Sequence, residues 1–104
     1  MMAKEEKSEV RRLVELLAEE KTWQGRYFGH DGQAKVAQAE IDYCEKMLLD
    51  SEVRNDEEMR RYWERKREKA IARRKYHLSM ANGAREKLEE IRAEIKTILR
   101  RRGV

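Results

Sequence analysis

A chain of 104 residues is enough for one small core and too short for two of ordinary size. Charged residues make up 44% of it, where an ordinary globular domain carries about 25%, so a thick apolar interior is excluded and narrow apolar faces are what remains. The net charge of +4 is unevenly laid down: residues 1–59 sum to −6, residues 60–75 to +7 and residues 76–99 to zero, and Arg100, Arg101 and Arg102 add three. Such separated blocks bear on association and orientation more than on fold.

No proline interrupts the chain, so long helices are permitted almost throughout. The opening MMAKEEKSE has no apolar signal region. The first predicted helix covers about residues 8–22, with Val10, Leu13, Val14 and Leu17 at the i, i+3, i+4, i+7 spacing of one stripe. The pattern then fails at TWQGRYFGHDGQ, which holds three of the five glycines, and residues 23–33 are expected to form a loop. Trp23, Arg26, Tyr27, Phe28 and His30 in that segment have the composition of a protein-contact site, because aromatic and arginine side chains bury much area with few rotors. The other reading of these aromatics is as a cap on the end of a thin bundle. Gly25, Gly29 and Gly32 do not make a phosphate loop, since the G-x-x-x-x-G-K-[ST] pattern is missing.

A second helix is expected over about residues 33–51, carried by Ala37, Ile41, Cys44 and Leu48, with Val36, Tyr43 and Met47 widening the stripe. Cys44 is the only cysteine, which rules out an intrachain disulfide, and on this stripe an inert buried thiol is the natural reading. A tight connection should follow near residues 52–55, with Asn55 as N-cap and Glu58 three residues on as in a capping box.

The third helix is expected over about residues 56–101. Ala81, Ala84, Leu88, Ile91, Ile95 and Ile98 alternate steps of three and four, the seam of a left-handed helix pair. The same phase run backwards passes through His77, Arg74, Ala70, Arg67 and Trp63. Asn82-Gly83 is the one candidate break, and because the stripe keeps its phase across it the helix is expected to continue. The fold class is therefore all-α: two shorter N-terminal helices and a long C-terminal helix in one helical domain, as an antiparallel helical hairpin or a three-helix bundle with coiled-coil character. In a monomer the ridge of Leu88, Ile91, Ile95 and Ile98 is expected to stay partly wet, which makes it the candidate self-association surface.

The segment RRYWERKREKAIARRKY, residues 60–76, holds nine basic side chains against two acids, with Tyr62, Trp63 and Tyr76 interleaved. Arg60, Arg61, Arg65, Lys66, Lys69, Arg73 and Arg74 are the candidate nucleic-acid contacts, through phosphates and base stacking. Wound at 100° per residue, the basic residues of this segment point nearly all around the helix, as on a solvated rod. Catalysis has little support: His30 and His77 are far apart in sequence, one cysteine and two histidines fall short of an ordinary structural zinc site, and no paired carboxylates occur in a pocket-forming context.

The expectation is a non-enzymatic, cytoplasmic interaction factor, of the accessory or inhibitory kind found among mobile elements, with no cofactor, metal, membrane or small-molecule substrate. It would bind a protein partner or itself, as a homodimer, through the C-terminal helix and the aromatic segment. The alternative is a nucleic-acid-binding module working through residues 60–76 and the arginine tail.

Overall fold

The computed structural model describes residues 4–103, with side chains from residue 8 onward, and those residues form helices and no strand. Helix α1 spans Lys4–Leu49, the four-residue α2 spans Ser51–Arg54, and α3 spans Glu57–Arg101. The all-α expectation holds. No helix among the described residues is long and apolar enough to cross a membrane.

The loop expected at residues 23–33 is not there: TWQGRYFGHDGQ is helical, and the two predicted N-terminal helices are one. Glycine in a helix costs only about 1 kcal/mol relative to alanine, a penalty that packing of neighbouring side chains offsets. Trp23, Tyr27, His30 and Ala34 are each buried or half-buried, so packed side chains occur on either side of the glycines. The glycines have open space where a Cβ would sit. Gly83 likewise has open space where a Cβ would sit, and α3 runs on through Asn82-Gly83 as expected.

The connection falls where expected, with different caps. The Asp50 carboxylate accepts the Glu52 N–H at 2.8 Å and starts α2. The Asp56 carboxylate accepts the Met59 N–H at 3.1 Å and starts α3, so Asp56 takes the N-cap role assigned to Asn55, which instead closes α2. Asn55 N–H donates to Ser51 C=O and Asp56 N–H to Val53 C=O, which satisfies the backbone through the turn. Val53 is buried beneath it.

The chain divides into two compact units. The first combines the described parts of Met1–Phe28 and Asn82–Val104. Its core is Leu16, Ile91 and Ile98, with Trp23 and Ile95 packed against them. Ion pairs join its two segments: Arg12 grips Glu94 with two hydrogen bonds of 3.0 and 3.1 Å, Arg92 meets Glu20 at 2.9 Å, and Arg101 reaches Glu9 at 3.6 Å. Low residue numbers pair with high ones, so within this unit the segments run in opposite directions. The bond from Arg12 holds the Glu94 carboxyl below its ordinary range against a smaller opposing effect of desolvation, and the bond to Glu94 raises Arg12.

Two expectations about this unit are corrected. Leu16 is fully buried, whereas Val14 and Leu17, assigned to the inward stripe, are 63% and 50% exposed. Four residues fix the phase of a stripe only loosely; with Trp23 continuing the helix, the phase that fits is 13, 16, 20, 23. The second correction concerns Leu88, Ile91 and Ile98, which are buried, and Ile95, which is half-buried against the same cluster. The ridge is covered by α1 of its own chain and is not a free surface for self-association.

The second unit is Gly29–Ala81. Its buried positions are Ala34, Ala37, Ile41, Cys44, Val53, Ala70 and Ala81, mostly small side chains that let helix axes approach closely. Cys44 is a free, fully buried thiol. Here too pairs such as His30 with His77 and Glu40 with Arg73 run low to high.

Candidate nucleic-acid interface

In the second unit α3 turns Trp63, Arg67, Ala70, Arg74 and His77 toward α1, all buried or half-buried. That inward face sorts the remaining charges. On one flank, one position ahead of each inward residue, stand Tyr62, Lys66, Lys69, Arg73 and Tyr76, at alternating steps of four and three. On the other flank and outer side stand Glu64 and Glu68 with Ile71 and Lys75. Cations therefore occur on every side, as expected, but only the flank of Lys66, Lys69 and Arg73 carries them without an acid of α3 among them.

The seven candidate cations divide accordingly. Arg61 pairs with Glu57 at 2.7 Å and Arg60 with Glu64 at 3.9 Å, both one turn apart along α3. Arg73 donates to Glu40 of α1 at 2.6 Å. Arg74 is half-buried on the inward face. Arg65, Lys66 and Lys69 have no carboxylate partner among the described residues and, with Glu40, Tyr62 and Arg73, line one open groove. Lys66 holds its ammonium 5.7 Å from the Tyr62 ring centre and 5.3 Å from that of Trp63, close enough for cation–π attraction.

Aromatic packing fixes both ends of this flank. Trp63 meets Tyr62 at 5.1 Å and Tyr43 at 5.5 Å, both edge to face, and its indole N–H is buried without an acceptor among the described residues. At the other end Tyr76 packs edge-on against His77 at 5.1 Å and His30 at 6.2 Å. The two histidines face each other with Nδ1 atoms 2.9 Å apart, so the Nδ1–H of one ring donates to the bare Nδ1 of the other. The two histidines lie 47 residues apart in sequence. The pairing was reachable only through an antiparallel register, which a loop at residues 23–33 concealed.

The aromatic segment proposed as a partner-binding loop is split by its helical conformation. Trp23 packs on the core with the Arg26 guanidinium stacked over it at 4.5 Å, and His30 turns inward to His77. Tyr27 is half-buried and meets Phe28 edge to face at 5.4 Å, and Phe28 is 61% exposed. Tyr27 and Phe28 border a groove completed by Gln24, Arg85, Leu88 and Arg92. A second groove of the first unit is lined by Leu17, Ile95 and Leu99 together with Glu20, Lys96 and Arg100. A stripe phased with Leu17 inward hides this groove in the sequence, because Leu17 is 50% exposed.

Among the described residues no group of three or more His, Cys, Asp and Glu side chains is placed to hold a metal ion. Comparison of the chain with protein-family models, with curated proteins and with solved structures returns no match.

Proposed function

We propose that this chain is a non-enzymatic, cytoplasmic binding factor, accessory or inhibitory to a larger system, that engages nucleic acid through the basic flank of α3. The observation that carries the reading is the arrangement of Tyr62, Lys66, Lys69, Arg73 and Tyr76 on one flank, with the neighbouring acids of α3 off it. Lys66 and Lys69 on that flank, and Arg65 in the same groove, have no carboxylate partner among the described residues and repel one another, and phosphates that bind there relieve the repulsion and release counterions. The helical framework belongs to the same proposal. Within each unit inward residues recur at alternating steps of three and four on oppositely running segments, the pattern of an antiparallel hairpin of coiled-coil type.

The test is fluorescence anisotropy of labelled DNA and RNA with increasing salt. Affinity should fall with a log–log slope of about −0.7 to −0.9 per phosphate neutralised, and three free cations put the total near −2 to −3. Changing Arg65, Lys66 and Lys69 together to glutamate should abolish binding with little change in melting temperature. Arg73 is left alone because glutamate there would face Glu40. Absence of binding to any nucleic acid at low salt removes the proposal.

A second reading, docking on a protein, is favoured by the exposed Phe28 beside Tyr27 and Leu88, and by Val14 and Leu17 at the surface. A homodimer or a heteromeric contact would use these faces and not the buried ridge. Phe28→Ala and Leu17→Asp should then reduce the sedimentation mass or partner capture while the chain stays folded. A monomeric mass in the wild type and both variants, with no partner captured by any of them, speaks against it.

A further inference from the structure

Resting on the phosphate-binding proposal above, we infer that the α3 flank takes single-stranded nucleic acid, with bases stacked on Tyr62 and Tyr76 and the intervening phosphates on Lys66, Lys69 and Arg73. The two tyrosines occupy equivalent positions two heptads apart, which at 1.5 Å per residue separates them by about 21 Å along the helix. Tyr62 is 50% and Tyr76 57% exposed. Each ring is also braced, Tyr62 by Trp63 at 5.1 Å with the Lys66 ammonium 5.7 Å over it, and Tyr76 by His77 at 5.1 Å and His30 at 6.2 Å. A ring held by its neighbours with about half its surface exposed is a platform already ordered before a base arrives, so stacking on it costs little conformational entropy.

The coincidence of platforms and cations selects among nucleic-acid forms. In a duplex the bases are stacked on one another, so only the cations would engage and both tyrosine surfaces would stay in water. In a single strand every base has a free face, and stacking on aromatic side chains is sequence-tolerant. Two free ammonium groups and a guanidinium shared with Glu40 between two stacked bases describe a site on the order of four nucleotides, at the small end for single-strand binding.

The experiment uses the full chain, a labelled thymidine oligomer of about 12 nucleotides, a duplex of equal phosphate number and inorganic polyphosphate as competitor, a length within ordinary single-strand site sizes. The single strand should bind more tightly than the duplex. Tyr62→Leu and Tyr76→Leu should each weaken single-strand binding about tenfold, from the lost stacking, and leave polyphosphate and duplex binding unchanged. Each tyrosine is tested singly as well as together, with thermal melting as the control for folding, so a double variant that fails to fold does not remove the readout. Duplex binding as tight as single-strand binding overturns the inference while the phosphate-binding proposal stands, and so does binding that keeps its salt dependence but ignores both tyrosines. Preference for anionic phospholipid vesicles over the oligomer also overturns it. No binding to the oligomer, the duplex or polyphosphate overturns both.

Discussion

Leu16 and Leu17 are adjacent in sequence and opposite in environment, and replacing each with alanine measures the phase of α1 directly. Leu16 is 0% exposed and packs in the cluster with Ile91 and Ile98, whereas Leu17 is 50% exposed. Truncating a buried leucine loses its transfer free energy and leaves a cavity, together about 2–5 kcal/mol. The thin core of the first unit can partly close around the gap, which places Leu16→Ala at the low end, about 2–3 kcal/mol. Leu17 has only half its surface removed from water and leaves no enclosed void, so Leu17→Ala should cost about 1 kcal/mol or less. A domain of this size is stable by roughly 5–15 kcal/mol, so the first loss is a substantial share of the total and the second a minor one. Urea unfolding followed by circular dichroism reads both as shifts in midpoint at constant slope. If Leu17→Ala costs as much as Leu16→Ala, the stripe drawn from sequence alone is the right one and the packing described for the first unit is wrong.

Three further outcomes follow from particular residues. Gly25→Ala, Gly29→Ala and Gly32→Ala meet open space at the new Cβ and should each stabilise the chain by up to about 1 kcal/mol; a loss of helicity or stability would place these residues in the loop that their composition suggests. Glu94 has its folded pKa lowered by Arg12, so its stabilising effect is present above the ordinary carboxyl value of about 4.3 and is lost as pH falls through the lower folded value. Glu94→Gln should therefore flatten the acid limb of the stability curve below about pH 4.5, and an unchanged limb would show that the pair is not formed in solution. Trp63→Phe removes a buried N–H that has no acceptor among the described residues, which offsets the lost ring area and should leave stability within about 1 kcal/mol of wild type; a loss of 3 kcal/mol or more, roughly the value for deleting a satisfied aromatic anchor, would mean that the indole N–H is paired.

What the sequence determined by itself is the local character of the chain. Freedom from proline, the three-four stepping from Ala81 to Ile98 and the acid-rich start at Asp56 lead to the helical class, to a continuous α3 across Asn82-Gly83 and to the turn before it. These features are legible because helix propensity, periodicity and capping act between residues a few positions apart. The tertiary structure decided which face of each helix is inside. Leu16 is chosen over Leu17, the glycine-rich stretch is held helical, the isoleucine ridge is covered, and Arg67 and Arg74 of α3 turn inward while Lys66, Lys69 and Arg73 share one flank. Each of those outcomes depends on contacts between segments some fifty to eighty residues apart, as in Arg12 with Glu94 or His30 with His77. Burial is a property of two surfaces brought together, and a stripe read on one helix cannot show which of its neighbouring phases the other helix will cover.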